Sequence, residues 1–145
     1  MGSAEPSFRV DEEPAESLLD FLTAALVAFN DGRAMHEDYR PLAVSARSEG
    51  EIIGGAAGYT HWGWLYTSAL WVRPNWRRRG IGGRLVTLME RAATDRGAHA
   101  AHVNTFEFQA LDFYKRHGYA VFGQLPDYPI GHDLYYLAKR LTSSG

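Results

Sequence analysis

The sequence predicts a mixed α/β domain, a sheet with helices packed on it, and three observations carry that reading. Apolar residues recur with a helical period in some stretches and with strand-like runs in others. Glycine and proline fall between these runs and seldom inside them. Helical and strand segments alternate along the chain, which is the order of an α/β layout and not of segregated α+β. The length of 145 residues suits one domain spanning 1–145.

Taken in order, Ser7–Val10 has the composition of a short strand. Glu13–Asn30 reads as a helix with Pro14 in its first turn, Leu18, Leu22, Leu26 and Phe29 on one face, and Asp31-Gly32 after its end. Residues 31–41 are polar, hold Pro41 and read as a loop or a broken short helix. Two strands, Leu42–Arg47 and Glu51–Trp62, flank Ser48-Glu49-Gly50 as in a hairpin. Leu65–Val72 is mostly apolar and therefore central in the sheet. Gly82–Arg96 forms a helix with Leu85, Leu88, Met89 and Ala92 on one face and Gly97 as its stop. A strand at Ala100–Thr105, a helix at Gln109–His117 closed by Gly118, and strands at Tyr119–Phe122 and Asp133–Leu141 complete the order. The last two strands enclose a turn with Pro126, Pro129 and Gly131.

Composition excludes several classes. The chain is 46% hydrophobic and 22% charged, with a formal net charge of −2, so it has no overall basic excess for nucleic acid or an anionic membrane. Cysteine is absent, which removes disulfides, thiolate metal sites and a cysteine nucleophile. No spacing of His and Asp matches a metal site. The longest apolar run, Ala24–Phe29, is far short of the roughly 18 residues of a membrane span. The N-terminus Met1-Gly2-Ser3-Ala4-Glu5-Pro6 lacks an apolar signal core, so the expected location is the cytoplasm.

The basic residues are divided into 13 Arg and 2 Lys, and five of the arginines (73, 77, 78, 79 and 84) fall around one glycine turn between the central strand and the long helix. The unpaired N–H groups at such a helix start attract an anion, and the glycines let it approach the backbone. The expected ligand therefore carries several phosphates. A Walker loop would need Gly-Lys-Ser/Thr, and a dinucleotide fingerprint would need a third glycine where Leu85 stands. Neither fits.

Arg77-x-x-Gly80-x-Gly82 resembles the pyrophosphate motif (Gln/Arg-x-x-Gly-x-Gly/Ala) of the GNAT N-acetyltransferases. Ala110-Leu111-Asp112-Phe113-Tyr114-Lys115-Arg116-His117-Gly118-Tyr119 is similar to that family's Ala-x-x-Leu-Tyr-x-x-x-Gly-Phe segment, and the resemblance is strongest over 65–122. It implies a mostly antiparallel twisted sheet of about seven strands with helices on both faces. It also implies acetyl-CoA as acyl donor, with the pyrophosphate held by backbone amides from Arg78 through Arg79, Gly80, Ile81 and Gly82 to Gly83, beside Arg77. The main chain of Leu70, Trp71 and Val72 would hold the pantetheine arm, with Phe113 and Tyr114 beside it. A homodimer is a further implication.

Acetyl transfer needs a neutral amine, a polarised carbonyl and a proton for the departing thiolate. Tyr114 is the candidate acid, since a phenol near pKa 10 is protonated at neutral pH. The central strand has no carboxylate. Glu107 is one candidate base, and His61, His102 and His132 are others, acting through water. Asn104-Thr105-Phe106-Glu107 resembles a capping box, the preferred reading for Glu107, which would then serve only a helix start. Tyr59, His61, Trp62, Trp64 and Tyr66 are expected to line the acceptor side, where rings attract a cationic or planar amine; core packing with a tight turn at Gly63 is the alternative. Residues 123–131 are expected to form a rim over the same pocket. The function expected is transfer of acetyl to a primary amine of a small molecule or peptide by direct attack in a ternary complex. A non-catalytic acyl-CoA sensor is the alternative.

Overall fold

The computed structural model describes residues 4–142; Met1–Ser3, the start of the segment read above as lacking a signal, lie outside the described residues. The chain divides into two compact units, one ending at Glu37 and one beginning at Asp38.

In the first unit the expected strand at Ser7–Val10 is absent. Phe8 and Val10 are 92% and 86% exposed and the segment has no ladder partner, so its backbone is not organised as a strand. The helix α1 spans Glu16–Asp31, starting three residues later than expected. Ala15 is extended (ψ 142°) and its carbonyl accepts from Leu18 and Leu19, which makes it the N-cap and leaves Pro14 outside the first turn. No residue of α1 is buried, and Arg33 sits 4.0 Å over the Phe29 ring.

The second unit holds a six-stranded sheet in the order β1-β2-β3-β4-β6-β5, one strand fewer than about seven. Its strands are β1 (Arg40–Ser48), β2 (Glu51–His61), β3 (Trp64–Val72), β4 (Ala100–Phe106), β5 (Ala120–Leu125) and β6 (Leu134–Arg140). β1 begins two residues earlier than expected because it is an edge strand, where Pro41 removes no ladder bond. The β1–β2 hairpin closes on Glu49-Gly50, both with positive φ (51° and 81°), the geometry that matches strand twist in a two-residue turn. Trp62-Gly63 (φ 48° and 83°) closes β2–β3 in the same way. A Cβ at Gly63 would also stand 2.7 Å from the His99 ring. All strand pairs are antiparallel except β3 with β4.

The core forms where one sheet face meets α2 (Ile81–Asp95) and α3 (Leu111–Arg116). Leu65, Val103 and Leu137 from the sheet pack with Leu85, Val86, Met89 and Ala93 of α2 and with Leu111 and Tyr114 of α3. The buried stripe of α2 is thus rotated from the expected one: Leu88 is 38% exposed, and Val86 and Ala93 face inward instead. Arg96, just past α2, fastens that helix end to the sheet by donating to the carbonyls of Arg40 and Pro41 and to Thr60 Oγ1. Gly97 and Gly118 take the positive φ (92° and 91°) expected of helix stops.

Candidate active site

The site arises from a strand pairing that stops early. β3 and β4 pair in parallel for three residue pairs only, ending at Tyr66 with His102. Beyond that point β3 shifts register against β2, with Gly58 opposite Thr67 and Ala57 opposite Ala69, so that Ser68 is bulged. A Cβ on Gly58 would overlap the Tyr66 carbonyl, so only glycine lets the chains approach this closely. The two strands diverge, and a cleft of about 980 Å³ opens between them.

Along β3 the backbone groups alternate between its two edges. Arg73 N–H donates to the Ile53 carbonyl at 2.8 Å, which places Arg73 and Trp71 toward β2 and leaves Leu70 and Val72 toward the open edge. The expected trio therefore divides: Leu70 and Val72 offer main-chain groups to the cleft, while Trp71 contributes to its wall. Arg77 Nε donates to the Val72 carbonyl at 2.8 Å and fixes the turn to the strand end.

The turn itself is shaped by Arg78 and Gly80, with φ of 63° and 78°. Among the described residues, none accepts a hydrogen bond from the backbone amides of Arg78 through Gly83. Four of these groups (Gly80 to Gly83) head α2, so the helix dipole adds to their pull on an anion. The first turn of α2 rests on rings of α3. A Cβ on Gly82 would meet Phe113 at 3.3 Å, and one on Gly83 would meet His117 Nε2 at 2.7 Å. The five arginines do not converge on one point. Arg73 donates to the Ile52 carbonyl and Arg79 stacks on Trp76 at 4.6 Å, so Arg77 and Arg78 are the members of the group that line the cleft. Arg116, the last residue of α3, and His117, which follows it, line it too, and the sequence reading missed both. Their spacing of three and four residues from Phe113 on a helix was the available signal.

At the inner end lie Thr67, Asn104, Thr105 and Tyr114. Tyr114 is 4% exposed, and burial, reinforced by Tyr66 and Glu90, pushes its hydroxyl pKa up to about 12. Thr105 Oγ1 accepts from the Ala110 N–H at 3.1 Å and holds the turn that leads into α3. Tyr66 donates to Asn104 Oδ1 at 3.1 Å.

Glu107 is neither a helix cap nor part of the cleft wall. Residues 104–106 belong to β4, the N-cap of α3 is Ala110, and no side chain caps it, which overturns the capping box. The Glu107 carboxylate accepts from His132 Nδ1 at 2.6 Å and from the Asp133 N–H at 3.2 Å, and the His132 bond holds its pKa below the usual range. None of the residues lining the cleft is Asp or Glu.

The aromatic residues assigned to the acceptor gather on the sheet face opposite the core. Tyr59 packs on Tyr39 and Tyr66 with ring centres 4.7 and 5.4 Å apart, and His61 stacks on Trp62 at 4.5 Å. His102 lies between Trp64 (5.6 Å) and Tyr66 (4.9 Å), and burial lowers its pKa from the ordinary value. None of Tyr59, His61, Trp62, Trp64 and Tyr66 lines the cleft; Tyr66 reaches it through Asn104. In the expected rim, Tyr128 stacks on Phe106 at 6.0 Å.

The cleft suits a long, flexible ligand with an anionic group at its mouth and a reactive end beside Tyr114. Residues 5–119 match the acetyltransferase (GNAT) family. A blasticidin-S acetyltransferase of Streptomyces morookaense is 40% identical over 107 residues, covering 70% of this chain and 79% of its own length. A crystal structure of an acetyltransferase from Bacillus cereus superposes with a TM-score of 0.84 at 27% identity, over 92% of this chain and 98% of that one. An aminoglycoside 6′-N-acetyltransferase solved with coenzyme A shares the fold at a TM-score of 0.65 and 20% identity, over 72% of this chain and 75% of its own. This chain belongs to the GNAT family: it is an N-acetyltransferase, and acetyl-CoA is its acyl donor.

Proposed function

We propose that the protein moves the acetyl group of acetyl-CoA to a primary amine of a small molecule by direct attack in a ternary complex. The observation that carries the reading is the early end of the β3–β4 pairing. It joins an open strand edge, a row of free amides and Tyr114 in one cleft. The amides of Arg78–Gly83, with Arg77 and Arg78, hold the pyrophosphate, and the edge at Leu70 and Val72 holds the arm. Bound there, acetyl-CoA supplies an activated thioester. The absence of cysteine supports direct attack, since no thiol is available to carry the acetyl group.

In the transfer, the amine nitrogen forms the new C–N bond while the C–S bond breaks. Tyr114 donates a hydrogen bond to the departing sulfur, and the thiolate takes up its proton from solvent. With its pKa at about 12 Tyr114 is a weaker acid than a thiol, so it acts as a strong hydrogen-bond donor during bond breaking and not as a source of free acid. The amine loses its extra proton to water. His102, kept neutral by burial, is a side chain on the aromatic face able to accept it. The acceptor enters over Tyr59, His61, Trp62, Trp64 and Tyr66, whose rings favour a cationic or planar amine.

The test is release of CoA thiol from acetyl-CoA with a panel of amines: blasticidin S, aminoglycosides, polyamines, amino acids and peptide N-termini. Turnover with at least one small-molecule amine is expected. Tight acetyl-CoA binding without turnover on any amine would favour the sensor instead, and turnover on peptides alone would move the acceptor class.

A further inference from the structure

Asn104 occupies the point at which the sheet opens. It stands on β4 two residues past His102, the last residue paired with β3, and it lines the inner end of the cleft with Thr67, Thr105 and Tyr114. Its amide has a fixed orientation, because the Tyr66 hydroxyl donates to Oδ1 at 3.1 Å. The oxygen of the amide is thereby engaged, and Nδ2 carries two N–H donors for which no acceptor is found among the described residues. Of the polar groups nearby, Thr105 Oγ1 accepts from Ala110 and Tyr114 serves the sulfur in the reading above, while Thr67 alternates with Tyr66 along β3 and so projects from the other sheet face. The cationic side chains of the cleft (Arg77, Arg78 and Arg116) come from its phosphate end, on the glycine turn and the last residue of α3.

We infer that Asn104 Nδ2 donates a hydrogen bond to the carbonyl oxygen of the acetyl thioester, with Tyr66 as the residue that positions it. The chemistry selects the carbonyl. Two N–H donors at the reacting end match an oxygen that gains negative charge as the amine adds, whereas a donor facing the amine would tie up its lone pair. A preset donor of this kind needs no reorganisation during the reaction, and the Tyr66 hydrogen bond supplies the presetting. Tyr66 thus has its ring on the acceptor face and its hydroxyl on Asn104, which lines the donor cleft. The inference rests on placement of the thioester beside Tyr114, as proposed above.

The test reads the carbonyl directly. Infrared difference spectra are taken of acetyl-CoA labelled with ¹³C at the carbonyl, free and bound, with Kd from calorimetry and kcat with the best amine. In the wild-type protein the bound carbonyl band shifts to lower frequency. Asn104→Ala and Asn104→Asp both lose that shift, the second while still offering Tyr66 an acceptor. Their kcat falls on the order of 100-fold, as when one oxyanion donor is removed, with acetyl-CoA Kd near that of the wild type. Tyr66→Phe gives an intermediate shift, which a purely structural role for that hydroxyl would not produce. A bound band that is equally shifted in wild type and in either Asn104 variant overturns the assignment while leaving the donor site intact. Failure of the wild-type protein to bind acetyl-CoA overturns the donor site and this inference together. Thermal unfolding confirms that the variants compared are folded, and the Asp variant serves where the Ala variant is not.

Discussion

The two halves of the site are built from different material. The donor cleft is a backbone structure. Its proposed recognition groups are the open edge of β3 at Leu70 and Val72 and the amides of Arg78–Gly83, for which no acceptor is found among the described residues, and glycine admits them at positions 58, 80, 82 and 83. The proposed acceptor face is a side-chain structure, a set of rings from Tyr59, Trp64, Tyr66 and His102 on paired strands, with Tyr39 just before β1. Backbone amides are present whatever the side chains are, so the donor site persists through substitution so long as the glycines remain. Each ring on the acceptor face can be exchanged singly, with modest cost to the sheet. Three substitutions test where the boundary between the two halves lies.

Tyr114→Phe has the largest expected effect: kcat falls by about 100-fold or more, the range for loss of a positioned acid, while acetyl-CoA Kd measured by calorimetry stays within a few-fold. Unchanged turnover would remove Tyr114 from the chemistry. Gly82→Glu acts at the other end of the cleft. Its Cβ would meet Phe113 at 3.3 Å and its carboxylate would face the phosphates, so Kd for acetyl-CoA rises on the order of 100-fold, about 3 kcal/mol. Intact binding in a folded variant would remove the glycine turn from the donor site. Trp64→Ala tests the acceptor face and is smaller. Loss of a cation–π contact raises the acceptor KM about fivefold and leaves acetyl-CoA Kd unchanged. An equal loss of acetyl-CoA binding would erase the distinction between the halves.

The same division explains what was legible in the sequence. Gly80 and Gly82 announce a backbone site because a left-handed turn and a close approach to Phe113 favour a residue with little or no side chain, and the strand and helix on either side follow from their periods. Asn104 was not legible as a site residue. Asn104 matters because the β3–β4 ladder ends at His102, just before it, and no local pattern records where a pairing ends. Gly58 was passed over for the same reason, since its requirement comes from the Tyr66 carbonyl on the neighbouring strand. The first strand was misread at Ser7–Val10 because β-type composition states what a segment could pair with and not whether a partner exists. Glu107 illustrates the converse error. An acid near a helix start satisfies the pattern of a cap, but its carboxylate is bound 25 residues away in sequence, by His132.

That residue gives the smallest expected effect, and the one that distinguishes a stabilising carboxylate from a catalytic base. The hydrogen bond from His132 depresses the folded pKa of Glu107 below its unfolded value. A carboxylate so shifted contributes stability at pH above the unfolded value of about 4.3, and that contribution is lost as pH falls through the lower folded value. Glu107→Gln should therefore lower Tm slightly at pH 7, with the gap from wild type closing in acid below about pH 4. The group is exposed, so the change is small. Because Glu107 lies outside the cleft lining, kcat with the best amine should stay within about twofold of wild type. A base removed from the reaction would add a tenfold or greater fall in kcat, and would return Glu107 to the mechanism in place of water and His102.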